Sequence, residues 1–273
     1  MQNQIQLSPQ SISPIARLLK QLPKATAGER KPQLPIKAVI FDLDGTIATF
    51  NLDYKTIRAE VRGYLLKTEV PASLLSVNES IFEMLEKAEL FMKNKGKSAG
   101  AINEIRKAVL RIAEKYELEA AMHTNLVSGA VETLKALKRT ELKIGLCTIN
   151  SEKSMDYILK RFQITEYFQA TVSRDKVNYT KPHPEHLNAA LTALGATARE
   201  TLIVGDSISD MQAAKELKAI AVGLPTGVST TEQLIQQGAN YIITSITDLP
   251  NLIDTINKAQ TAQTRTRKKK ELS

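Results

Sequence analysis

Residues 36–46 read IKAVIFDLDGT, an apolar run that ends in two acids, a glycine and a threonine. The run Ile36–Phe41 is short and strongly apolar, which predicts a buried β-strand. Because residues two apart on an extended chain lie about 6–7 Å apart and point the same way, Asp42 and Asp44 face one side. Gly45 allows a sharp turn after them. Two carboxylates at the end of a buried strand repel and lose solvation, and a divalent cation would relieve both penalties. A helix cap or a solvated turn is the alternative for this pair alone.

Similar apolar runs alternate with helical patterns along the rest of the chain. The predicted strands are Ile144–Thr148, Ala170–Ser173, Leu202–Gly205, Ile220–Gly223 and Tyr241–Thr244. The predicted helices are Ala130–Lys138, Glu152–Arg161, Pro184–Leu194, Asp210–Leu217, Thr231–Gln237 and Leu249–Lys258. Buried strands that alternate with helices predict an α/β fold with a doubly wound, mainly parallel sheet covered on both faces.

One interval, residues 53–122, shows no convincing strand. Its helical patterns are Tyr54–Lys67, Ala72–Lys93 and Ala101–Tyr116, with a loop at residues 93–97. We therefore expect an all-helical domain inserted after the first strand. The α/β core would then comprise residues 37–52 and 123–257.

The basic residues are concentrated at the two ends of the chain. Of the net charge of +8, residues 1–36 carry +4 and residues 258–273 carry +5, which leaves −1 for the middle. We expect a flexible N-terminal extension and a disordered basic tail, with a docking helix or a targeting peptide as alternatives for the first segment. A nearly neutral core makes nucleic acid an unexpected partner.

The single cysteine, Cys147, excludes an intrachain disulfide. It lies in an apolar run, so we interpret it as a buried core thiol in a reducing compartment. No apolar run approaches the roughly 18–20 residues that span a bilayer, and no secretory signal follows the first residue. We therefore expect a cytoplasmic protein without a membrane partner.

Three further motifs follow predicted strands. Asp206 ends one strand, and Asp210 lies in the first turn of the next helix, so their hard oxygen atoms suit Mg²⁺. Thr148 ends another strand just before a helix start that can hold a phosphate. Lys181 lies in a loop between prolines and can offer positive charge to a phosphate or to the acids. Because α/β sheets bind ligands at the carboxyl ends of their strands, the motifs together predict one site. Taken singly, Asp210 can serve the helix dipole and Lys181 can be solvated.

The ordered set of motifs resembles the haloacid dehalogenase-like hydrolase superfamily, and most of all its phosphoglycolate phosphatase-like branch with a helical cap. The matching motifs are DLDGT at residues 42–46, Thr148, Lys181-Pro182 and GDSISD at residues 205–210. The resemblance covers residues 36–257, and it implies that residues 53–122 are the cap.

This resemblance implies roles for the four aspartates. Asp42 would attack phosphorus and form an aspartyl phosphate. Asp44 would protonate the leaving oxygen and then activate water. Mg²⁺ would contact the Asp42 carboxylate, the Asp44 backbone carbonyl and Asp206, and Asp210 would complete this set of ligands.

The resemblance also implies that Thr148 and Lys181 hold the phosphoryl oxygens. Many members of the superfamily carry Asn directly after this threonine, whereas this chain has Ile149 there and Asn150 one position later. A backbone contact to phosphate survives that change, and we expect the side-chain contact to be lost.

The predicted function is a Mg²⁺-dependent phosphatase that acts on a small phosphorylated metabolite. A sugar-phosphate phosphomutase of the same fold is one alternative, and a non-catalytic binding protein that uses its basic termini is another. A dinucleotide-dependent dehydrogenase is disfavoured because no Gly-x-Gly occurs. Neither the substrate nor the oligomeric state follows from the sequence.

Other polar residues receive no predicted role in the site. We expect His183 and His186 to lie at the surface or to cap a helix. Three cations of the predicted cap, Arg58, Arg62 and Lys97, can in principle meet a second anionic group of the substrate. Solvation is the expectation for each of the three.

Overall fold

The computed structural model describes residues 34–49 and 52–259. The expectations for the N-terminal extension and the basic tail therefore fall mostly on residues outside these ranges. The strands are β1 (Ala38–Phe41), β2 (Lys143–Cys147), β3 (Ala170–Val172), β4 (Thr201–Gly205), β5 (Ile220–Gly223) and β6 (Tyr241–Ile242). The helices are α1 (Tyr54–Lys67), α2 (Ile81–Asn94), α3 (Ala99–His123), α4 (Ala130–Lys138), α5 (Glu152–Arg161), α6 (Pro184–Leu194), α7 (Ile208–Leu217), α8 (Thr231–Gln237) and α9 (residues 249–259).

The six strands form one parallel sheet in the order β3-β2-β1-β4-β5-β6. This is the doubly wound order, in which the chain builds outward from β1 in both directions. The prediction of a doubly wound, mainly parallel sheet is confirmed. The order also makes β1 and β4 neighbours, so their carboxyl ends lie side by side.

Successive side chains along each strand point to opposite faces of the sheet, so the core consists of two apolar clusters, one on each face. In β1, Val39 and Phe41 face one cluster, and Ala38 and Ile40 face the other. The first cluster is covered by α4, α5 and α9, and the second by α6, α7 and α8. Cys147 is fully buried in the second cluster, as predicted for a core thiol, and burial raises its pKa to about 12.

The segment between β1 and β2, residues 53–122, consists of helices and turns without a strand. We call it the helical insert. Helices α1, α2 and α3 pack around a third apolar cluster of their own. Helix α3 also reaches the core, because Val109 and Ala113 belong to the insert cluster while Ala121 belongs to a cluster on the sheet.

The predicted helix Ala72–Lys93 is wrong in its first half. Residues 72–74 form a single 3-10 turn, and α2 begins only at Ile81. The reason is a capping box, in which the Ser80 hydroxyl accepts from the Glu83 backbone N–H and the Glu83 carboxylate accepts from Ser80. Helix α3 is longer than the predicted Ala101–Tyr116.

None of the helices within residues 34–49 and 52–259 has the length and apolar character that crossing a membrane requires.

Candidate active site

Asp42 and Asp206 lie close together because they follow the neighbouring strands β1 and β4. Asp42 follows β1 and donates its backbone N–H to the Val204 carbonyl of β4 at 2.9 Å, while Asp206 follows β4. Asp210 lies in the first turn of α7, where a capping box with Ser207 fixes it. Carboxylate oxygens of Asp42, Asp206 and Asp210 lie within 4.8 Å of one another, and all three residues are buried.

Lys181 is the cation at this cluster. Its Nζ donates to Asp42 Oδ1 at 2.7 Å, to Asp210 Oδ1 at 2.6 Å and to the Cys147 carbonyl at 2.8 Å. Only 6% of the residue is exposed. Burial lowers the Lys181 pKa, but Asp210 and Asp42 raise it well above its usual value. The lysine is therefore a fixed charge of the site, and the alternative of a solvated loop lysine is wrong.

A buried histidine, His186, binds the backbone of the loop that carries Lys181. The Lys181 backbone N–H donates to His186 Nδ1 at 3.4 Å, and His186 is fully buried. Burial, with the nearby Lys181 charge, lowers the pKa of His186 to about 4. The surface interpretation of His186 is therefore wrong, whereas His183 does cap α6 by accepting from Glu185.

Burial and mutual repulsion raise the pKa values of two of the clustered acids, Asp42 and Asp206. Burial raises the pKa of Asp42 to about 6; Lys181 opposes the rise and Asp210 adds to it. Burial and then Asp42 raise the pKa of Asp206 to about 8. One lysine thus leaves the three carboxylates under-compensated, and a group of buried oxygen donors of this kind fits a hard divalent cation such as Mg²⁺.

The loop after β5 contacts the Asp206 carboxylate, a contact that the sequence did not predict. Val228 donates its backbone N–H to Asp206 Oδ2 at 2.9 Å. A Cβ on Gly227 would collide with the Asp206 carboxylate, and one on Gly45, where φ is +73°, would lie 2.6 Å from Asp206 Cγ. Both positions require glycine because the backbone approaches the carboxylate so closely. A glycine shortly after a strand was the available signal.

Asp44 lies beside the cluster and lines the same cavity as Asp42. Burial and the Asp42 charge raise its pKa to about 7, and a hydrogen bond from the Asn150 side chain opposes the rise. A carboxyl group with a pKa near neutrality can both give and accept a proton. Asn150 also lines the cavity, so this side chain lies at the site although it is displaced by one position in the sequence.

Thr148 is placed differently from the other predicted residues. It is fully buried at the end of β2, and its hydroxyl accepts from the Asn150 backbone N–H at 3.2 Å. The residues that line the cavity include the next two, Ile149 and Asn150, and Thr148 is not one of them. In this structure the threonine shapes the loop rather than facing the cavity.

The cavity of about 260 Å³ lies between the carboxyl edge of the sheet and the helical insert. Its core wall is polar and consists of Asp42, Asp44, Ile149, Asn150, Lys181, Asp206, Ser207, Ser209 and Val228. The opposite wall, which we call the insert wall, is mostly apolar. It consists of Leu52, which packs against the insert cluster, and of the insert residues Tyr54, Ile57, Arg58, Ser80, Ile81, Phe82, Ala113 and Glu117.

A buried ion pair joins the insert to the loop after β2, and the sequence analysis missed it as well. The Arg174 guanidinium donates to Glu117 Oε1, and Glu117 Oε2 accepts from the Ser151 backbone N–H at 3.0 Å. Arg174 also donates to the Ile149 carbonyl at 3.0 Å. The pair therefore ties α3 to residues 149–151, the loop that Thr148 begins. Only the strand-end position of Arg174 offered a signal.

Comparison with known proteins gives concordant results. A family model described as haloacid dehalogenase-like hydrolase matches residues 39–223. A phosphoglycolate phosphatase of Salmonella typhi is 30% identical over 234 residues, which cover 78% of this chain and 91% of that protein. A pyrophosphatase PpaX of Listeria innocua is 26% identical over 223 residues, which cover 78% of this chain and 94% of that protein.

Among solved structures, a hydrolase from Pseudomonas syringae is similar over 81% of this chain and 99% of its own, with a TM-score of 0.58 and 27% identity. The family match covers most of the chain, and it includes Asp42 and all the other predicted site residues. The resemblance drawn from the motifs is therefore confirmed. The chain belongs to the haloacid dehalogenase-like hydrolases and is an enzyme of that class.

Proposed function

We propose that this hydrolase is a Mg²⁺-dependent phosphatase that cleaves a small phosphate monoester through an aspartyl phosphate on Asp42. The observation that carries the proposal is the core wall of the cavity. There, Asp42 lies against the Lys181 ammonium and beside Asp44, whose raised pKa suits proton transfer. In phosphoryl transfer, positioning and charge stabilisation contribute most of the catalysis.

In the first step an Asp42 carboxylate oxygen attacks phosphorus, and the bond from phosphorus to the leaving oxygen breaks. Asp44, protonated in part near neutral pH because of its raised pKa, gives its proton to that oxygen. In the second step Asp44 takes a proton from water, which attacks the same phosphorus. The bond between phosphorus and Asp42 then breaks and releases inorganic phosphate.

The residues that would hold Mg²⁺ are Asp42, Asp206 and Asp210 through carboxylates and Asp44 through its backbone carbonyl. Support for this set comes from the mutual approach of the three carboxylates within 4.8 Å and from the raised pKa values of Asp42 and Asp206. When bound, the ion would supply positive charge that keeps Asp42 ionised and offsets the charge of the phosphoryl oxygens.

Lys181 would bind a phosphoryl oxygen while it remains paired with Asp210. Thr148 would contribute by shaping the loop: its hydroxyl accepts the Asn150 backbone N–H, which leaves the backbone N–H of residue 149 for the phosphate. The helical insert would act as a cap that excludes water and selects the substrate.

The cavity volume supports a small substrate. About 260 Å³ lies below the range of pockets that enclose drug-sized ligands, which begins at about 300 Å³. Two relatives are named for phosphoglycolate and for pyrophosphate, both of which are small. These names favour a phosphatase over the phosphomutase alternative.

The test is a hydrolysis panel of phosphoglycolate, pyrophosphate and a hexose phosphate, with Mg²⁺ and with a chelator. We expect phosphate release from at least one small substrate, and we expect the chelator to abolish it. A folded protein that releases no phosphate from any of them would contradict the proposal. Isomerisation of the sugar phosphate that exceeds phosphate release would indicate the mutase instead.

A further inference from the structure

The three insert cations considered above for a second anionic group, Arg58, Arg62 and Lys97, have different surroundings. Arg62 donates from Nε to the Leu75 carbonyl at 3.2 Å, so it serves the insert's own backbone. Lys97 is exposed and lies 3.6 Å from Glu69. Arg58 alone among the three lines the cavity that contains Asp42. The expectation of solvation therefore does not describe Arg58.

The Arg58 guanidinium is only partly satisfied. Its Nε is buried and has no hydrogen-bond partner within residues 34–49 and 52–259, and none of the ion pairs in these ranges includes it. The guanidinium carbon lies 5.6 Å from the centroid of the Tyr54 ring, a cation–π contact that supplies no hydrogen-bond acceptor to Nε. A buried charged donor of this kind needs an acceptor, because leaving it unpaired is costly.

Within the part of the chain that the structure describes, the surroundings of Arg58 do not supply that acceptor. The adjacent cavity wall contains the apolar side chains of Ile57, Ile81 and Phe82. The acid on the same wall, Glu117, is engaged by Arg174 and by a backbone N–H. Of the core-wall aspartates, Asp42 accepts from Lys181, Asp206 from the Val228 backbone N–H and Asp44 from the Asn150 side chain. The cavity itself is therefore where an acceptor for Arg58 can enter.

We propose that Arg58 binds a second anionic group of the substrate, a carboxylate or a second phosphate, while the phosphoryl group lies at Asp42. The proposal rests on the proposed phosphatase function and names its substrate class, a phosphate compound with two anionic ends. The planar guanidinium suits either anion because it can donate two parallel hydrogen bonds. Apolar neighbours strengthen that attraction by excluding water.

The kinetic test compares phosphoglycolate with ethyl phosphate, in which a methyl group replaces the carboxylate. In Arg58→Met we expect kcat/KM for phosphoglycolate to fall on the order of tenfold or more, mainly through KM, because a charged hydrogen bond is lost. Ethyl phosphate should change little, and Arg58→Lys should recover part of the loss. The matched control is Lys55→Met, which removes an exposed charge from the same helix.

Pyrophosphate provides the second arm of this comparison. A larger loss for pyrophosphate than for phosphoglycolate would identify a second phosphate as the group that Arg58 binds, and the reverse would identify a carboxylate. An equal loss for ethyl phosphate would mean that Arg58 only supports the fold, and no loss for any substrate would also overturn the proposal.

A binding test separates this proposal from the phosphatase proposal. Calorimetric titration of the unaltered chain and of Arg58→Met with phosphonoacetate and with ethylphosphonate requires no turnover. We expect the unaltered chain to prefer phosphonoacetate and Arg58→Met to lose most of that preference. If no phosphate ester is hydrolysed but the preference is present and depends on Arg58, only the phosphatase proposal fails. Equal preferences in both proteins would overturn the role of Arg58.

Discussion

The two walls of the cavity differ in what holds them. On the core wall, polar groups fix one another: Lys181 binds Asp42 and also Asp210, and the Val228 backbone N–H binds Asp206. On the insert wall, apolar side chains are held by the third hydrophobic cluster, and Arg58 has an unpaired donor. A wall of mutually fixed charges suits one invariant reaction, whereas a mostly apolar wall that includes Arg58, whose Nε has no partner among the described residues, suits the selection of a substrate.

This difference between the walls predicts different effects of substitutions on each of them. Changes on the core wall should remove turnover for every substrate, and changes on the insert wall should alter the ranking of substrates. The Glu117–Arg174 ion pair connects the two walls, because it joins α3 of the insert to the loop after β2.

The largest effect is expected from Asp42→Asn, which removes the nucleophile. Turnover should fall on the order of a thousandfold or more for all substrates, because no covalent intermediate can form. The fold should be kept, since the change is nearly isosteric and Lys181 retains Asp210 as a partner. Phosphate release and thermal unfolding measure the two quantities. A variant that keeps more than about a tenth of the rate would exclude Asp42 as the nucleophile.

Asp206→Asn should have the next largest effect on turnover. We expect a loss on the order of a hundredfold that high Mg²⁺ restores in part, because a weakened ligand lowers metal affinity. With a chelator present, the same variant should unfold at a higher temperature than the unaltered chain. The neutral amide avoids the cost of burying a carboxylate beside other acids, which is the cost that raises the Asp206 pKa. A loss of turnover that no Mg²⁺ concentration changes would argue against a metal role.

Glu117→Gln tests the ion pair between the walls. Both partners are about 5% exposed or less, so removal of the Glu117 charge leaves the buried Arg174 guanidinium with only Asp175, 3.8 Å away and more exposed, as an ionic partner among the described residues. We expect the free energy of unfolding to fall by about 3 kcal/mol, measured by urea denaturation. The control is the double variant Glu117→Leu with Arg174→Met, which should lose less because neither charge remains. Equal losses would show that the pair is not coupled.

The smallest effect is expected from Phe82→Ala on the insert wall. Loss of the ring should enlarge the cavity and raise the ratio of kcat/KM for a hexose phosphate to that for phosphoglycolate by about tenfold at most. Phe91→Ala, in the same apolar cluster but not lining the cavity, is the matched control. If both variants shift the ratio equally, the insert acts through its stability and not through its wall.

Local pattern was sufficient for most of the fold. The helices α1, α4, α5, α6 and α8 have the predicted bounds, because caps and apolar periodicity lie within the helix and its neighbours. The helix predicted from residue 72 failed for a local reason too, since the Ser80 capping box was overlooked. The sequence also predicted that the four aspartates and Lys181 lie at one edge of the sheet, because the carboxyl ends of parallel strands converge there; their roles in catalysis and metal binding stay predictions.

Only the tertiary structure decided which residues from other parts of the chain join the aspartates and Lys181 around the cavity. Sequence alone left Arg58 and Arg62 equivalent, yet one faces the cavity and the other binds a backbone carbonyl. Glu117 and Arg174 lie 57 positions apart, and no periodicity predicts their contact. The physical reason is that periodicity reports which face of an element is buried. The partner that a buried charge meets depends on how separate elements pack.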